Sequence, residues 1–431
     1  MHKSAAIKVQ GWCPTAWAPM QAQDGWIVRV RPHCASISAQ QWTVLAELSL
    51  SCAHPEIEMT RLGNVQLRGV SQAQLPLVHS RLVEAQLVPA DADADQAPAV
   101  HCTPFYQRAD LTHALALLLS QAVITQLSPN ALKSQGVQAL PSKFGLAVDD
   151  AQRRMRGIAA DISVWVRADE RYGLALGEQS GWYAFDGAAE VVEAALAVAL
   201  WFTKERTAIA PIHAPNFTRL RQLLPLRALN LPCLELAKFM ADNPVAAAVA
   251  LPAQWEQAGR VIGVPMGRIS AVAWLEAVKS MSPQTEIRVT PWRSLFCEDE
   301  AIAAQFSSSA HWITEAGDVR LQVSACTGAP RCTQALLAAR ELALALAPNV
   351  PPQAHVHVSG CAKCCALSPE ATAVLIATEA AAGGDSGQAL LNLSWPNLPQ
   401  QPFSQISTQA LRQEPSHIST LIHDLHIRNP R

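Results

Sequence analysis

The chain has 431 residues, half of them apolar and 16% charged, with a formal net charge of −2. Its length suits about three compact units, and its apolar content excludes a disordered chain. So even a charge balance gives no electrostatic case for nucleic acid or an anionic membrane surface.

Residues 1–8 contain no apolar run of the signal-peptide kind. Trp26-Ile27-Val28-Arg29-Val30-Arg31 alternates with the period of a half-buried strand. Ser38 reads as a helix N-cap, with Ala39, Trp42, Leu45 and Leu48 behind it on one face. Glu56 to Thr60 and Val65 to Val70 read as further strands. The stretch Ala90 to Pro98, small and acidic, is expected to be a linker. The longest apolar run, Val191 to Phe202, falls short of the roughly 20 residues a membrane span needs, so it is expected to be a buried helix. A cytoplasmic location follows as the expectation.

Ile37-Ser38-Ala39-Gln40-Gln41-Trp42 recurs as Ile269-Ser270-Ala271-Val272-Ala273-Trp274. Behind each copy, at nearly the same distance, stands Glu56-Ile57-Glu58-Met59-Thr60 or Glu286-Ile287-Arg288-Val289-Thr290. This is a duplication of a strand–helix–strand unit. The expected organisation is repeat (10–75), unit (100–245), repeat (250–303), unit (305–395) and an uninformative Gln- and Pro-rich tail (396–431), with Gly383 to Gly387 as a loop. Two halves about a pseudo-twofold axis, with a site between them, would result.

Five of the eleven cysteines fall within a short stretch. Cys326-Thr-Gly-Ala-Pro-Arg-Cys332 is a C-x5-C pair, and Cys361 with Cys365 is a C-x3-C pair around Cys364. Four thiolates suit a [4Fe–4S] cluster, one per iron. Structural zinc is the rival, and its ligand pairs usually have two to four intervening residues. Gly328 and Pro330 favour a tight turn. Thr333 to Leu346 is expected to be a helix whose first amides face the cluster, and Val356 to Ser359 a strand leading into the second pair.

Together these residues resemble the nitrite/sulfite reductase superfamily and, within it, the precorrin-3B synthase family. The resemblance covers the whole chain. It rests on the cysteine motif and on Gly11-Trp12-Cys13-Pro14, Val28-Arg29-Val30-Arg31-Pro32, Thr60 to Val70, Leu140-Pro141-Ser142-Lys143-Phe144-Gly145, Gly263 to Arg268, Thr290-Pro291-Trp292-Arg293 and His357 to Lys363. The fold it implies is α+β: duplicated ferredoxin-like half-domains plus two α/β modules that hold the iron–sulfur cluster and tetrapyrrole, related by a pseudo-twofold axis. The activity it implies is an O2-dependent hydroxylation of precorrin-3A at C20 with γ-lactone formation, in aerobic cobalamin biosynthesis. Electrons derived from NADH would arrive from a separate reductase, because no Gly-x-Gly-x-x-Gly follows a strand.

The resemblance assigns Cys326, Cys332, Cys361 and Cys365 to the cluster. It places Arg31, Arg61 and Lys143 at the reacting centre, and Arg29, Asn64, Gln66, Arg68 and Arg293 as substrate contacts, bases suited to carboxylates. A further iron, non-haem or sirohaem, is implied, and its ligands are not legible. His355 and His357 read as structural. Gly145 stands where the reductases carry a second lysine, and Pro98-Ala99-Val100 where they carry Arg-Asn, which favours the synthase over a sirohaem nitrite or sulfite reductase. A non-catalytic iron–sulfur carrier or tetrapyrrole-binding protein is the alternative outside enzymes. Cys364 stands where the family has Gly.

Overall fold

The computed structural model describes residues 13–177, 179, 181–209, 217–241, 255–256, 259–368, 370–380 and 389–427. The expected loop 383–387, residues 1–8, and Gly11 and Trp12 lie outside them. Among the described residues the strands form four sheets.

The duplicated units become two five-stranded sheets, and they exchange a strand. Met20–Ala22, Gly25–Val30, Val65–Val70 and Glu56–Met59 are joined at the sheet edge by Arg268–Ser270 from the second copy. Trp255–Glu256, Gly259–Gly263, Ser294–Cys297 and Glu286–Val289 are joined by Ser36–Ser38 from the first. The exchange sets Ile269 opposite Ile57 and Ile37 opposite Ile287. Each exchanged strand follows a left-handed residue, Cys34 at φ 48° and Met266 at φ 56°, which turns the chain out of its own sheet.

Behind the exchanged strands run the helices Ala39–Cys52 and Ala271–Val278. Ser38 caps the first with a reciprocal box: its Oγ accepts from Gln41 N, and Gln41 Oε1 accepts from Ser38 N. Ser270 makes no such bond. Trp42 and Trp274, matched residues of the repeat, stack with ring centres 3.8 Å apart and planes 10° apart, both wholly buried. One apolar core therefore serves both copies, including Ile37, Ile57, Ile269 and Ile287.

The other two sheets are also counterparts. In one, Ala99–Cys102, Gly145–Asp149 and Ile162–Val166 run parallel, followed by Tyr172–Leu176, Trp182–Phe185 and Lys238–Met240 in antiparallel order. In the other, Val323–Ala325, Val356–Ser359 and Ala373–Ala380 run parallel, followed by antiparallel Ala389–Ser394 and Pro402–Ser407. The apolar run from Val191 lies in the helix Ala188–Ile209, buried through Val191, Ala195, Val198 and Phe202. Among the described residues no helix is long and apolar enough to cross a membrane.

Two expectations need correction. Ala90 to Pro98 is no loose linker: Ala92–Asp95 is a helical turn capped by Asp91, and buried Asp95 accepts from Trp17 N at 2.9 Å. Nor does the chain trail off after 395. Pro402–Ser407 completes a sheet, and Leu411, Ile418, Ile422 and Leu425 are buried in the core of Val356 and Val358. The spacing of 418, 422 and 425 is that of one helix face, hidden in the sequence by its polar surroundings.

Candidate functional site

Parallel strands deliver their C-terminal ends to one edge, and here those ends carry cysteine. Cys326 N, just past Val323–Ala325, donates to Val358 O at 3.2 Å, and Gly360 N donates to Cys326 Sγ at 3.1 Å. The two cysteine loops are joined by Leu336 N donating to Gly360 O at 2.8 Å, and the first is closed on itself by Ala329 N donating to Leu337 O at 2.8 Å. Gly328 is required, since its φ is +71° and a Cβ there would meet Ala339 N at 2.6 Å. These turns consume residues 333–338, so the helix expected from Thr333 begins only at Ala339.

Cys326 is buried, Cys332 and Cys361 are half-buried and Cys365 is exposed. Cys361 and Cys365 each lie within electrostatic reach of Cys326 and Cys332. Burial, then neighbouring Cys326 and Cys332, pushes the Cys361 thiol up. Burial, then Cys326, Cys361 and Cys332, does the same to Cys365. Among the described residues no group of three or more His, Cys, Asp or Glu is placed to hold a metal ion. Cys364 has φ 48°, the left-handed conformation that Gly adopts freely and a side chain reaches at a cost of about 1 kcal/mol.

The expected bases fall into separate groups. Arg61 and Arg293 lie by the cysteines, on two copies of one turn. Thr60 N donates to Asn64 O and Thr290 N to Ser294 O, each at 2.9 Å. Each threonine Oγ1 accepts from two further amides, Leu62 N and Asn64 N or Trp292 N and Ser294 N. Arg293, at φ 58°, takes the place of Gly63 at φ 67°. Arg61 donates to Leu367 O at 2.8 Å and to Ser368 Oγ, with Glu370 3.4 Å away. Burial and then Arg293 bring its pKa down to about 10. Burial lowers that of Arg293, while Glu58, Glu370, Cys326 and Cys365 oppose the shift. The Arg293 Nε is buried without a hydrogen-bond partner.

Arg31 and Asn64 line a cavity of about 20 Å³, room for one water, together with Leu62, His101, Cys102 and Pro291. Arg31 donates to Ala97 O at 2.8 Å. His101 Nδ1 meets Leu62 O at 3.1 Å, and burial, then Arg31, lowers its pKa to about 4. Gln66 Oε1 accepts from Arg29 at 3.1 and 2.8 Å, so Gln66 orients Arg29 rather than Arg61. Lys143 is exposed just before Gly145–Asp149, and among the described residues it makes no hydrogen bond or ion pair. Arg68 is buried against Asp24 at 3.0 Å. His355 Nε2 and His357 Nδ1 both meet Ser324 Oγ at 2.9 Å, the structural engagement expected of them.

Sequence reasoning missed a third group. Buried Glu58 faces Arg268 at 2.8 Å, Arg340 at 3.5 Å, Arg331 at 3.8 Å and Arg68 at 4.0 Å. Burial opposes its ionisation, but Arg340, Arg268 and Arg68 outweigh it and hold its pKa below the ordinary value. Glu56 binds Arg331 at 2.7 Å. Arginines outnumber carboxylates here, and Arg340 keeps Nε and Nη1 buried without hydrogen-bond partners. Arg331 lies inside the C-x5-C loop and Arg268 ends the Gly263 motif, so both were in view without a role.

Residues 19–85 match the family described as the nitrite/sulfite reductase ferredoxin-like half domain. The structure of the Mycobacterium tuberculosis NirA protein superimposes with a TM-score of 0.63 at 16% identity, over 94% of this chain and 84% of that one. The chain has the fold of that NirA structure, with a nitrite/sulfite reductase ferredoxin-like half domain over residues 19–85. In that fold the matched half domain holds the Thr60 turn and Arg29, Arg31, Arg61 and Arg68. The chain is also 27% identical over 399 residues to a protein named precorrin-3B synthase from Sinorhizobium sp, covering 89% of this chain and 82% of that protein.

Proposed function

We propose that the chain is an oxidoreductase of the precorrin-3B synthase kind. One atom of O2 enters C20 of precorrin-3A, the other leaves as water, two electrons derived from NADH balance the step, and the ring A acetate closes a γ-lactone. The observation that carries this reading is the gathering of four cysteines on two joined loops beside an arginine-rich wall, in a chain with that relative over most of its length.

The donor set fits a [4Fe–4S] cluster: four thiols, one per iron, with Cys361 and Cys365 each in reach of Cys326 and Cys332, and with Arg293 and Lys363 as neighbouring cations. The sulfur donors of a cubane surround a bulky inorganic core, so they do not crowd one point as the ligands of a single ion do. When bound, the cluster supplies electrons one at a time. Cys326, Cys332, Cys361 and Cys365 would hold it. Arg31, Lys143 and Arg61 would bound the reacting centre. Arg293, with Arg268 and Arg340, would take substrate carboxylates through charge-assisted bonds, while Arg29, Gln66, Asn64 and Arg68 shape the wall. Gly145 presents no cation toward His101, which speaks against a site built for sulfite or nitrite. A further iron of the non-haem kind and a separate reductase as electron donor belong to the same reading; a tightly bound sirohaem belongs to the rival nitrite or sulfite reductase.

Metal and sulfide analysis with an anaerobic visible spectrum tests the proposal. About four irons and four labile sulfides per chain are expected, without the intense visible band of a sirohaem. Cys361→Ser should lose the brown colour and Cys13→Ser should keep it. Zinc without sulfide would overturn the cluster. Arg61→Ala and Lys143→Ala should keep the colour and lose O2-dependent conversion of precorrin-3A; full conversion by both would leave a carrier.

A further inference from the structure

The two modules are counterparts, and each is pressed by a counterpart turn of a half-domain. Cys326 N donates to Val358 O at the end of one parallel pair, as Thr103 N donates to Val148 O at the end of the other. Met266, at φ 56°, packs in the same apolar cluster as Cys326. Its counterpart Cys34, at φ 48°, packs in the same cluster as Cys102, the residue before Thr103. Where one module gathers its cysteine loops, the other meets a thiol from the half-domain with a thiol of its own.

The turn His33–Ala35 packs against the strand Ala99–Cys102, so the Cys34 and Cys102 thiols are neighbours that influence each other's ionisation, with His33 beside Cys34 at an exposed position. Tyr106 Oη donates to Cys34 O at 2.8 Å and holds the turn in place. Neither cysteine is in a disulfide, and both are buried. Cys102 and Ala35 form part of the wall of the cavity that Arg31 and Asn64 line.

We propose that Cys34 and Cys102 are an oxidisable dithiol that a peroxide closes to an intramolecular disulfide. The Cys34 thiolate attacks one peroxide oxygen, the O–O bond breaks, and water leaves with the sulfenic acid formed. Cys102 then attacks that sulfur, the S–O bond breaks, and a second water leaves with the disulfide. In sum two thiols lose two hydrogens and hydrogen peroxide becomes two waters. The order of attack follows from the surroundings: neighbouring Cys102, and then His33, hold the Cys34 thiol below its ordinary range, while the Cys102 thiol is raised. The link ties the turn leading into the exchanged strand Ser36–Ser38 to the strand Ala99–Cys102, at the wall of the Arg31 cavity.

The test is an anaerobic pulse of hydrogen peroxide on the full-length protein with its cluster, followed by alkylation and peptide mapping. Cys34 and Cys102 should both lose alkylation, and one disulfide-linked peptide pair should carry them, released by a phosphine. In Cys102→Ser, Cys34 should stop at the sulfenic acid and be trapped by dimedone. Full alkylation of both thiols in the wild type, or a link from either to another cysteine, overturns the proposal. The wild-type map decides by itself if the variant fails to fold.

Discussion

His101 and Cys364 illustrate how one residue's setting sets a measurable property. His101 is buried with a pKa near 4, against 6.5 for the free side chain. The unfolded chain therefore binds the extra proton first. His101 contributes its full stability above about pH 6.5 and loses it as the pH falls toward 4, in total about 3 kcal/mol. In His101→Asn, which can still donate to Leu62 O, urea midpoints at pH 7.5 and pH 5 should lie closer together than in the parent. Cys364 stands at φ 48°. Cys364→Gly should add about 1 kcal/mol of stability, whereas Cys364→Ala should add nothing; equal effects would mean that the backbone is not strained. The need for φ > 0 at 364 was legible from the family's glycine. The strain at Arg293 was not, because it appears only when its turn is overlaid on that of Gly63.

At the scale of elements, the two duplicated helices share a pattern but differ in their caps. Ser38 and Gln41 bond reciprocally, while Ser270 caps nothing. Ser38→Ala should cost about 1 kcal/mol and Ser270→Ala a few tenths, by chemical denaturation. The N-cap at Ser38 was readable because a capping box is local in sequence. The helix expected from Thr333 was misplaced, because its first residues have helical propensity but are drawn into bonds with the other cysteine loop. Truncation after residue 401 would remove a sheet strand and the buried Leu411, Ile418, Ile422 and Leu425. Such a chain should fail to give a cooperative unfolding transition; one with parental stability would show that the segment is a dispensable tail.

In the whole molecule, neither half-domain is complete alone. Each sheet borrows an edge strand, and Trp42 is buried by Trp274. Trp42→Ala should cost about 3–5 kcal/mol. A fragment of residues 13–88 should fold only as a concentration-dependent dimer, a second copy supplying the missing strand and ring; a folded monomer by sedimentation would contradict this. The chain by itself determined the duplication, the cysteine spacing, the first strands and the buried helix after Val191, because each is carried by residues close in sequence. Tertiary structure alone decided the strand exchange, the pairing of Glu58 with Arg268, Arg331 and Arg340, the commitment of Arg61 to Leu367 and Ser368, and the meeting of Cys34 with Cys102. These partners lie far apart along the chain, and a strand of given pattern pairs equally well with its own sheet or its neighbour's until the left-handed turns at Cys34 and Met266 direct it across.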